Sequence, residues 1–181
     1  EQCPKYERPM YGDWIDSDGD KQNTQAEVLI EENLGEIIFK TPKNKEVLSG
    51  LWKCPFTGNK YTRITEVING KRKFYIDIDH IVPLGEAHES GGWKWPKERK
   101  VKYANYLEDP NHLIAVSASA NRSKGQRDIA DWPKDRANFP FIKEYARIWA
   151  KIKVRWGLTG DQREMDVLHE ILDGELNIVY P

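Results

Sequence analysis

The sequence predicts an α+β fold, and three observations support that prediction. β-rich stretches flank Asn69-Gly70, the strongest two-residue signal for a β-hairpin. Apolar residues recur every three or four positions from Pro140 to Trp156, which is the period of an amphipathic helix. A chain of 181 residues with 39% hydrophobic content can bury one core, so we expect a single domain over residues 1–181.

An acidic stretch lies near the start of the chain. Oxygen-bearing side chains fall at positions 1, 3, 5, 7, 9 and 12 of residues 16–27, which is the ligand spacing of a calcium-binding EF loop. Asp16, Asp18 and Asp20 would be the first three ligands of a structural Ca²⁺. Lys21 stands at the sixth position, where such a loop needs glycine.

A second interpretation of the same stretch is a helix start. Thr24-Gln25-Ala26-Glu27 has the spacing of a capping box, and the helix that follows would end at Gly35. Glu27 cannot serve easily both as a bidentate calcium ligand and as a cap. The sequence leaves both interpretations open.

Strands dominate the prediction from residue 36 to residue 81. Residues 36–40 form a candidate strand, and turns are predicted at residues 41–44 and 54–58. The hairpin joins residues 61–68 to residues 71–81. Alternation along its second strand separates an apolar face from an acidic face. The apolar face, expected in the core, has Phe74, Ile76 and Ile78, and the opposite face has Asp77 and Asp79.

Helices dominate the rest of the chain. Residues 85–110 form an insertion in which Pro96 would open a helix. Residues 113–117 form a short buried strand, and Ser119 would cap the helix after it. The amphipathic helix should end at Gly157, and a capping box at residues 159–162 would open a last helix that ends at Gly174.

Charge is distributed unevenly although the net charge is only −1. Residues 93–155 carry 15 Lys and Arg against 7 Asp and Glu, whereas both flanking parts are acidic. A basic middle of this kind can bind a polyanion, or it can simply form solvated helix faces. No apolar run approaches the roughly 20 residues of a membrane span, so no membrane association is expected.

The two cysteines, Cys3 and Cys54, allow two interpretations. Either both are inert thiols, or they form one disulfide. By closing a loop, that disulfide would stabilise the folded state by roughly 4 kcal/mol. A disulfide would favour an oxidising compartment, so a secreted or periplasmic location is predicted, with the cytoplasm as the alternative.

The central stretch carries the most specific motifs. It begins with Asp77-Ile78-Asp79-His80-Ile81-Val82-Pro83-Leu84 and closes with Asn121-Arg122-Ser123-Lys124-Gly125 after an apolar strand. This order resembles the HNH, or ββα-metal, endonuclease family, in its bacterial branch with Asp-His-x-Val-Pro-Leu and Asn-x-Ser-Lys-Gly. The resemblance implies a ββα-metal core within residues 61–130, with a preceding hairpin, flanking helices and an acidic N-terminal segment packed on it.

The resemblance also implies the roles of individual residues. His80 would be the general base, and Asp79 and Asn121 would bind one Mg²⁺ or Mn²⁺. A neutral histidine has a suitable pKa for activating water, and hard cations prefer oxygen ligands. The middle position of the motif falls on His112, which would orient the base or brace the loop, and Asn111 is the alternative.

The implied function is hydrolysis of DNA by a monomeric endonuclease with little sequence preference. Arg122, Lys124 and Arg127 would contact phosphate. Lys94 lies beside Trp93 and Trp95, which would either stack on bases or form a small core of their own. The alternatives are a catalytically silent nucleic-acid-binding module and an RNase that uses the same site.

Overall fold

The computed structural model describes residues 2–41 and 46–172. Its mixture of helices and strands agrees with the predicted α+β class. The strands are β1 (Ile38–Phe39), β2 (Val47–Lys53), β3 (Lys60–Arg63), β4 (Thr65–Ile68), β5 (Lys71–Phe74), β6 (Ile76–His80) and β7 (Leu113–Ser117). The helices are α1 (Thr24–Glu31), α2 (Leu84–Glu89), α3 (Lys97–Ala104), α4 (Ala118–Lys124), α5 (Ile142–Trp156) and α6 (Gln162–Leu172).

The chain divides into two compact units, and each is built from separate stretches of sequence. The first unit contains residues 2–13, 80–104 and 124–172 of the described chain, and the second contains residues 14–79 and 105–123. The expectation of one domain over residues 1–181 therefore stays a prediction. None of the helices in the described ranges is long and apolar enough to cross a membrane.

The core of the second unit joins α1 to strands of different sheets. β1, β2 and β3 form one sheet, while β6 pairs with β7 in another. Trp52 of β2 is fully buried, and its indole Nε1 donates a hydrogen bond to Leu29 O at 2.8 Å. Ile76 and Ile78 of β6 are buried in the same cluster, as their alternation predicted.

The predicted hairpin is confirmed at its turn but is shorter than expected. Ile68 pairs with Lys71 across Asn69-Gly70, and both turn residues have positive φ, 51° and 73°. The predicted long strands are interrupted at Ile64 and Tyr75, so β4 and β5 form a separate two-stranded sheet. Phe74, predicted to lie in the core, is 40% exposed because β5 pairs only with β4.

Predicted helix caps fall at neighbouring residues in the structure. Asn23, not Thr24, caps α1 by accepting a hydrogen bond from Ala26 N at 3.0 Å, and α1 ends at Glu31 rather than at Gly35. Asp161, not Thr159, caps α6 by accepting from Glu164 N at 2.8 Å. The Thr24 hydroxyl instead donates to Asn105 Oδ1 at 2.7 Å, and the Thr159 hydroxyl donates to Ser90 O at 3.1 Å. Both partners are distant in sequence, so the local pattern cannot reveal them.

The first unit is built around α5, which ends at Gly157 with φ 64°, as predicted. Lys153 of this helix is 0% exposed. Its Nζ donates to Glu86 Oε1 at 2.7 Å, Ser90 Oγ at 2.9 Å and Glu164 Oε2 at 2.5 Å. These contacts connect α2, α5 and α6 through one buried cation. The predicted end of α6 at Gly174 lies outside the described residues.

The insertion contains the predicted α3 after Pro96, together with α2, which was not predicted. Trp95 packs within the first unit, with its ring centroid 5.4 Å from Tyr103 and 5.6 Å from Trp156. It therefore belongs to a local aromatic core, as one of the two interpretations held. His88 of α2 is buried, and its Nε2 donates to Pro4 O at 3.0 Å.

Both cysteines are free thiols, so the disulfide interpretation is wrong for this structure. Cys3 is exposed. Cys54 is buried in the second unit, and its Sγ accepts a hydrogen bond from Ser117 N at 3.2 Å. The cysteines thus give no support to an oxidising compartment.

Candidate functional site

β6 presents the acidic side chains of the central motif. Ile76 and Ile78 are buried in the core of the second unit, and strand alternation directs Asp77 and Asp79 to the opposite face. Asp77 is partly exposed, whereas Asp79 is only 4% exposed. A carboxylate buried to this extent needs compensating polar or ionic contacts.

Two hydrogen bonds fix the start of α4 beside this strand. Ala118 N donates to Tyr75 O at 2.9 Å, and Ala120 N donates to Ser117 Oγ at 3.2 Å. Ser117, the last residue of β7, is therefore the cap, and the prediction of Ser119 is wrong. Because α4 starts one residue after β7, Asn121 lies in its first turn.

Asn121 of α4 contacts Asp77 of β6. Asn121 Nδ2 donates to Asp77 Oδ2 at 3.3 Å, and Arg122 Nε lies 3.9 Å from the same oxygen. With its nitrogen bound to Asp77, the amide of Asn121 has its oxygen Oδ1 available as a ligand atom. Sequence reasoning gave Asp77 no role, and the predicted convergence of Asp79 and Asn121 on one cation stays a prediction.

A backbone oxygen holds the imidazole of His80. His80 Nε2 lies 2.9 Å from Ala104 O, at the end of α3, and the side chain is 8% exposed. A carbonyl oxygen only accepts hydrogen bonds, so Nε2 carries the hydrogen. In the neutral ring Nδ1 is then unprotonated, which is the state that a general base requires.

Lys124 does not have the predicted role in phosphate binding. Its side chain is 0% exposed, and Nζ donates to His80 O at 2.6 Å. A fully buried ammonium cannot reach a phosphate in solution. Lys124 instead supports the backbone of the residue that is the candidate base.

The predicted orienting residue, His112, is also buried. It is 1% exposed, and its ring packs edge-on against Tyr106 with centroids 5.3 Å apart. Burial is compatible with bracing the loop, and the role of His112 in orienting His80 stays a prediction. Asn111 is exposed, and its backbone N donates to Asp109 Oδ1 at 2.9 Å. The group that orients His80 Nε2 is Ala104 O, which carries no signal in the sequence.

The remaining predicted substrate-binding residues lie on the surface. Arg122, Arg127 and Lys94 are exposed. Lys94 Nζ lies 5.1 Å from the ring centroid of Trp93. These positions are compatible with contact to a polyanion, which stays a prediction.

A titratable carboxyl supports the strand that leads into α4. Glu32 Oε2 accepts a hydrogen bond from Ala115 N of β7 at 3.0 Å. Burial raises the pKa of Glu32 to about 7, and the hydrogen bond from Ala115 opposes that rise. Glu32 is therefore a carboxyl that changes charge near neutral pH.

The acidic turn brings three carboxylates together. Ligand atoms of Asp16, Asp18 and Asp20 lie within 4.8 Å of one another. Each carboxylate also accepts a hydrogen bond from a backbone N–H of the same turn, such as Gly19 N to Asp16 Oδ1 at 2.8 Å. These bonds stabilise the turn without an ion, so calcium binding here stays a prediction.

Comparison with known proteins shows a similarity to a secreted protein. The chain is 29% identical over 168 residues to an uncharacterized secreted protein of Arthroderma benhamiae. The alignment covers 93% of this chain and 74% of that protein. No protein-family model matches the chain. No solved structure gives a significant match.

Proposed function

We propose that this protein is a metal-dependent endonuclease of the HNH type that hydrolyses DNA with little sequence preference. The observation that carries the proposal is the hydrogen bond between His80 Nε2 and Ala104 O at 2.9 Å. This hydrogen bond leaves Nδ1 of His80 as the proton acceptor. His80 directly follows Asp79, whose carboxylate is buried. The order of β6, β7 and α4 along the chain also agrees with a ββα core.

The donor set supports a hard divalent cation. Asp79 offers carboxylate oxygens and Asn121 offers an amide oxygen, which are ligands that Mg²⁺ and Mn²⁺ prefer. Because Asn121 Nδ2 donates a hydrogen bond to Asp77, Oδ1 is the amide atom that would bind the cation. When bound, such a cation would stabilise the negative charge that develops on the leaving oxygen.

The protein's own residues would supply the remaining steps. His80 Nδ1 accepts a proton from water as the water attacks phosphorus in line with the leaving oxygen. Ala104 O stabilises the imidazolium that results, because it accepts the hydrogen on Nε2. Arg127, which is exposed, would bind a flanking phosphate through bidentate hydrogen bonds, and Arg122, which is also exposed, would add positive charge beside Asp77.

Two alternatives use the same scaffold. A catalytically silent module would bind nucleic acid without cutting it, and an RNase would cut RNA with the same groups. The similarity to a secreted protein supports a secreted location for this chain.

Plasmid cleavage tests the proposal directly. We expect supercoiled plasmid to be cut in Mg²⁺ and left intact in EDTA. His80→Ala should reduce the rate by about 10²- to 10⁴-fold, the usual contribution of a general base. His169→Ala is the matched control, since His169 is exposed on α6. Full activity of folded His80→Ala would refute the assignment of the base, and parallel assays on RNA would identify an RNase.

A further inference from the structure

Phe74 forms an exposed aromatic surface close to the candidate site. The guanidinium carbon of Arg122 lies 5.3 Å from the ring centroid of Phe74. Arg122 Nε in turn lies 3.9 Å from Asp77, which binds Asn121. We call Phe74 and Arg122 the stacking pair. It connects the β4–β5 hairpin to the α4 residue that is the candidate metal ligand.

Cations line the same hairpin. Lys71, Arg72 and Lys73 follow one another in β5, and all three are exposed. Arg72 and Phe74 are two residues apart and therefore face the same side of the strand, whereas Lys71 and Lys73 face the other side. Arg72 and Phe74 both line a cleft of about 790 Å³ that extends to Asp77. Within the described ranges, neither Lys71 nor Arg72 forms an ion pair with a carboxylate.

Four carboxylates also line this cleft, those of Asp16, Glu46, Glu66 and Asp77, and each has a partner inside the protein. Glu46 pairs with Lys40 at 3.0 Å. Glu66 pairs with Arg63, and its second oxygen accepts a hydrogen bond from the Tyr75 hydroxyl at 2.8 Å. These ion pairs offset the charge of Glu46 and Glu66 locally. Arg72 is then the cation of β5 that faces the cleft and is available for an anionic partner.

We propose that this surface binds single-stranded nucleic acid, with a base stacked on the stacking pair and a flanking phosphate on Arg72. The inference rests on the proposed nuclease function and adds the form of its substrate. The ring of Phe74 is 40% exposed and can stack with a base, and the guanidinium over it adds a cation–π contact. A phosphate complements the charge of Arg72.

The single-stranded form follows from how bases are exposed. In a duplex, each base is covered on both faces by its neighbours, so an aromatic side chain cannot stack on it without unstacking the helix. A single strand presents its bases at little cost. Stacking does not read the 2′-hydroxyl, so this surface should accept DNA and RNA strands alike.

Fluorescence anisotropy in EDTA separates binding from cleavage. The probes are labelled twelve-nucleotide strands of dT and of rU, an abasic strand of the same length and a duplex of the same length. We expect the dT strand to bind about tenfold tighter than the abasic strand, in the range of one stacked base. Phe74→Leu should remove that difference, because leucine keeps the apolar volume but lacks the π face, and Phe74→Trp should retain it.

Leu34→Ala is the matched control, since Leu34 is an exposed apolar residue of the same unit. Arg72→Ala should lower the magnitude of the slope of log affinity against log salt by about one, which is the contribution of one phosphate contact. The inference is overturned if Phe74→Leu binds the dT and abasic strands as the wild type does, or if the wild type prefers the duplex. If the wild type cuts plasmid but Phe74→Leu binds the strands as the wild type does, this inference is overturned and the nuclease proposal stands. Binding that depends on Phe74, without any cutting in Mg²⁺, would support it while refuting the nuclease proposal.

Discussion

The buried ammonium of Lys124 donates a hydrogen bond to the backbone oxygen of His80 at 2.6 Å. This bond holds the end of β6 to the end of α4 at the residue that is the candidate base. His80 is thus held at two points, at its backbone by Lys124 and at its ring by Ala104 O. Both contacts restrict the imidazole before any substrate arrives, which favours a prepared geometry for proton transfer.

Lys124→Met tests the supporting role of this lysine. The variant keeps the length of the side chain but leaves His80 O without this donor, which should lower the free energy of unfolding by about 1–3 kcal/mol. We expect slower plasmid cleavage but unchanged oligonucleotide binding, since Lys124 is buried. Arg127→Ala, at an exposed residue, should instead reduce the salt dependence of binding. A reduced salt slope in Lys124→Met would restore the original phosphate-binding assignment.

Asp77 should act as a positioning residue for Asn121. Removing its carboxylate in Asp77→Ala frees the Asn121 amide to rotate, so we expect the Mg²⁺ concentration for half-maximal cleavage to rise about 10- to 100-fold. Saturating Mg²⁺ should restore most of the rate. Asp79→Ala should stay inactive at every Mg²⁺ concentration, because a ligand is lost. Asp166→Ala, on the surface of α6, is the control. If no Mg²⁺ concentration restores the cleavage rate of Asp77→Ala, Asp77 is itself a metal ligand.

Lys153 should contribute strongly to folding of the first unit. Lys153→Ala leaves the carboxylates of Glu86 and Glu164 close together without their shared cation. Breaking a buried ion pair on one side typically costs about 3–5 kcal/mol. Urea unfolding of this variant should show that loss, whereas Lys151→Ala, at an exposed position of the same helix, should cost little. Equal stability of the two variants would mean that the buried cation contributes nothing net.

Glu32 should make stability depend on pH. Burial raises its pKa from 4.5 to about 7, so the folded chain holds a proton that the unfolded chain releases above pH 4.5. The stabilisation is complete below pH 4.5 and is lost as the pH rises through 7. Allowing for partial solvent exposure, we expect a loss of about 1–2 kcal/mol over this interval.

Glu32→Gln keeps a hydrogen-bond acceptor for Ala115 N but does not titrate. Its free energy of unfolding should therefore change less between pH 4.5 and 8 than that of the wild type. Urea unfolding at several pH values measures this difference, and other titrating carboxyls cancel in the comparison. Parallel curves for the two proteins would show that the carboxyl of Glu32 does not titrate in this interval.

Local chemistry in the sequence determined several elements of this fold. The Asn69-Gly70 turn sets the register of its hairpin because both residues accept positive φ. The periodic apolar residues of α5 and the glycine after it defined that helix, since period and C-cap are local signals. The apolar run from Leu113 to Ser117 likewise predicted a buried strand.

Tertiary structure decided how the motif residues are used. The sequence placed Asp79, His80, Asn121 and Lys124 in one candidate site, but it gave no means to distinguish a buried lysine from a surface one. Contacts made by backbone oxygens, such as Ala104 O with His80, have no residue signature, and neither has the pairing of Asn121 with Asp77. Phe74 is exposed because β5 has a single neighbouring strand, which depends on how the sheets separate. Periodicity and turn chemistry are encoded over a few residues, whereas burial and hydrogen-bond partners depend on segments far apart in the chain.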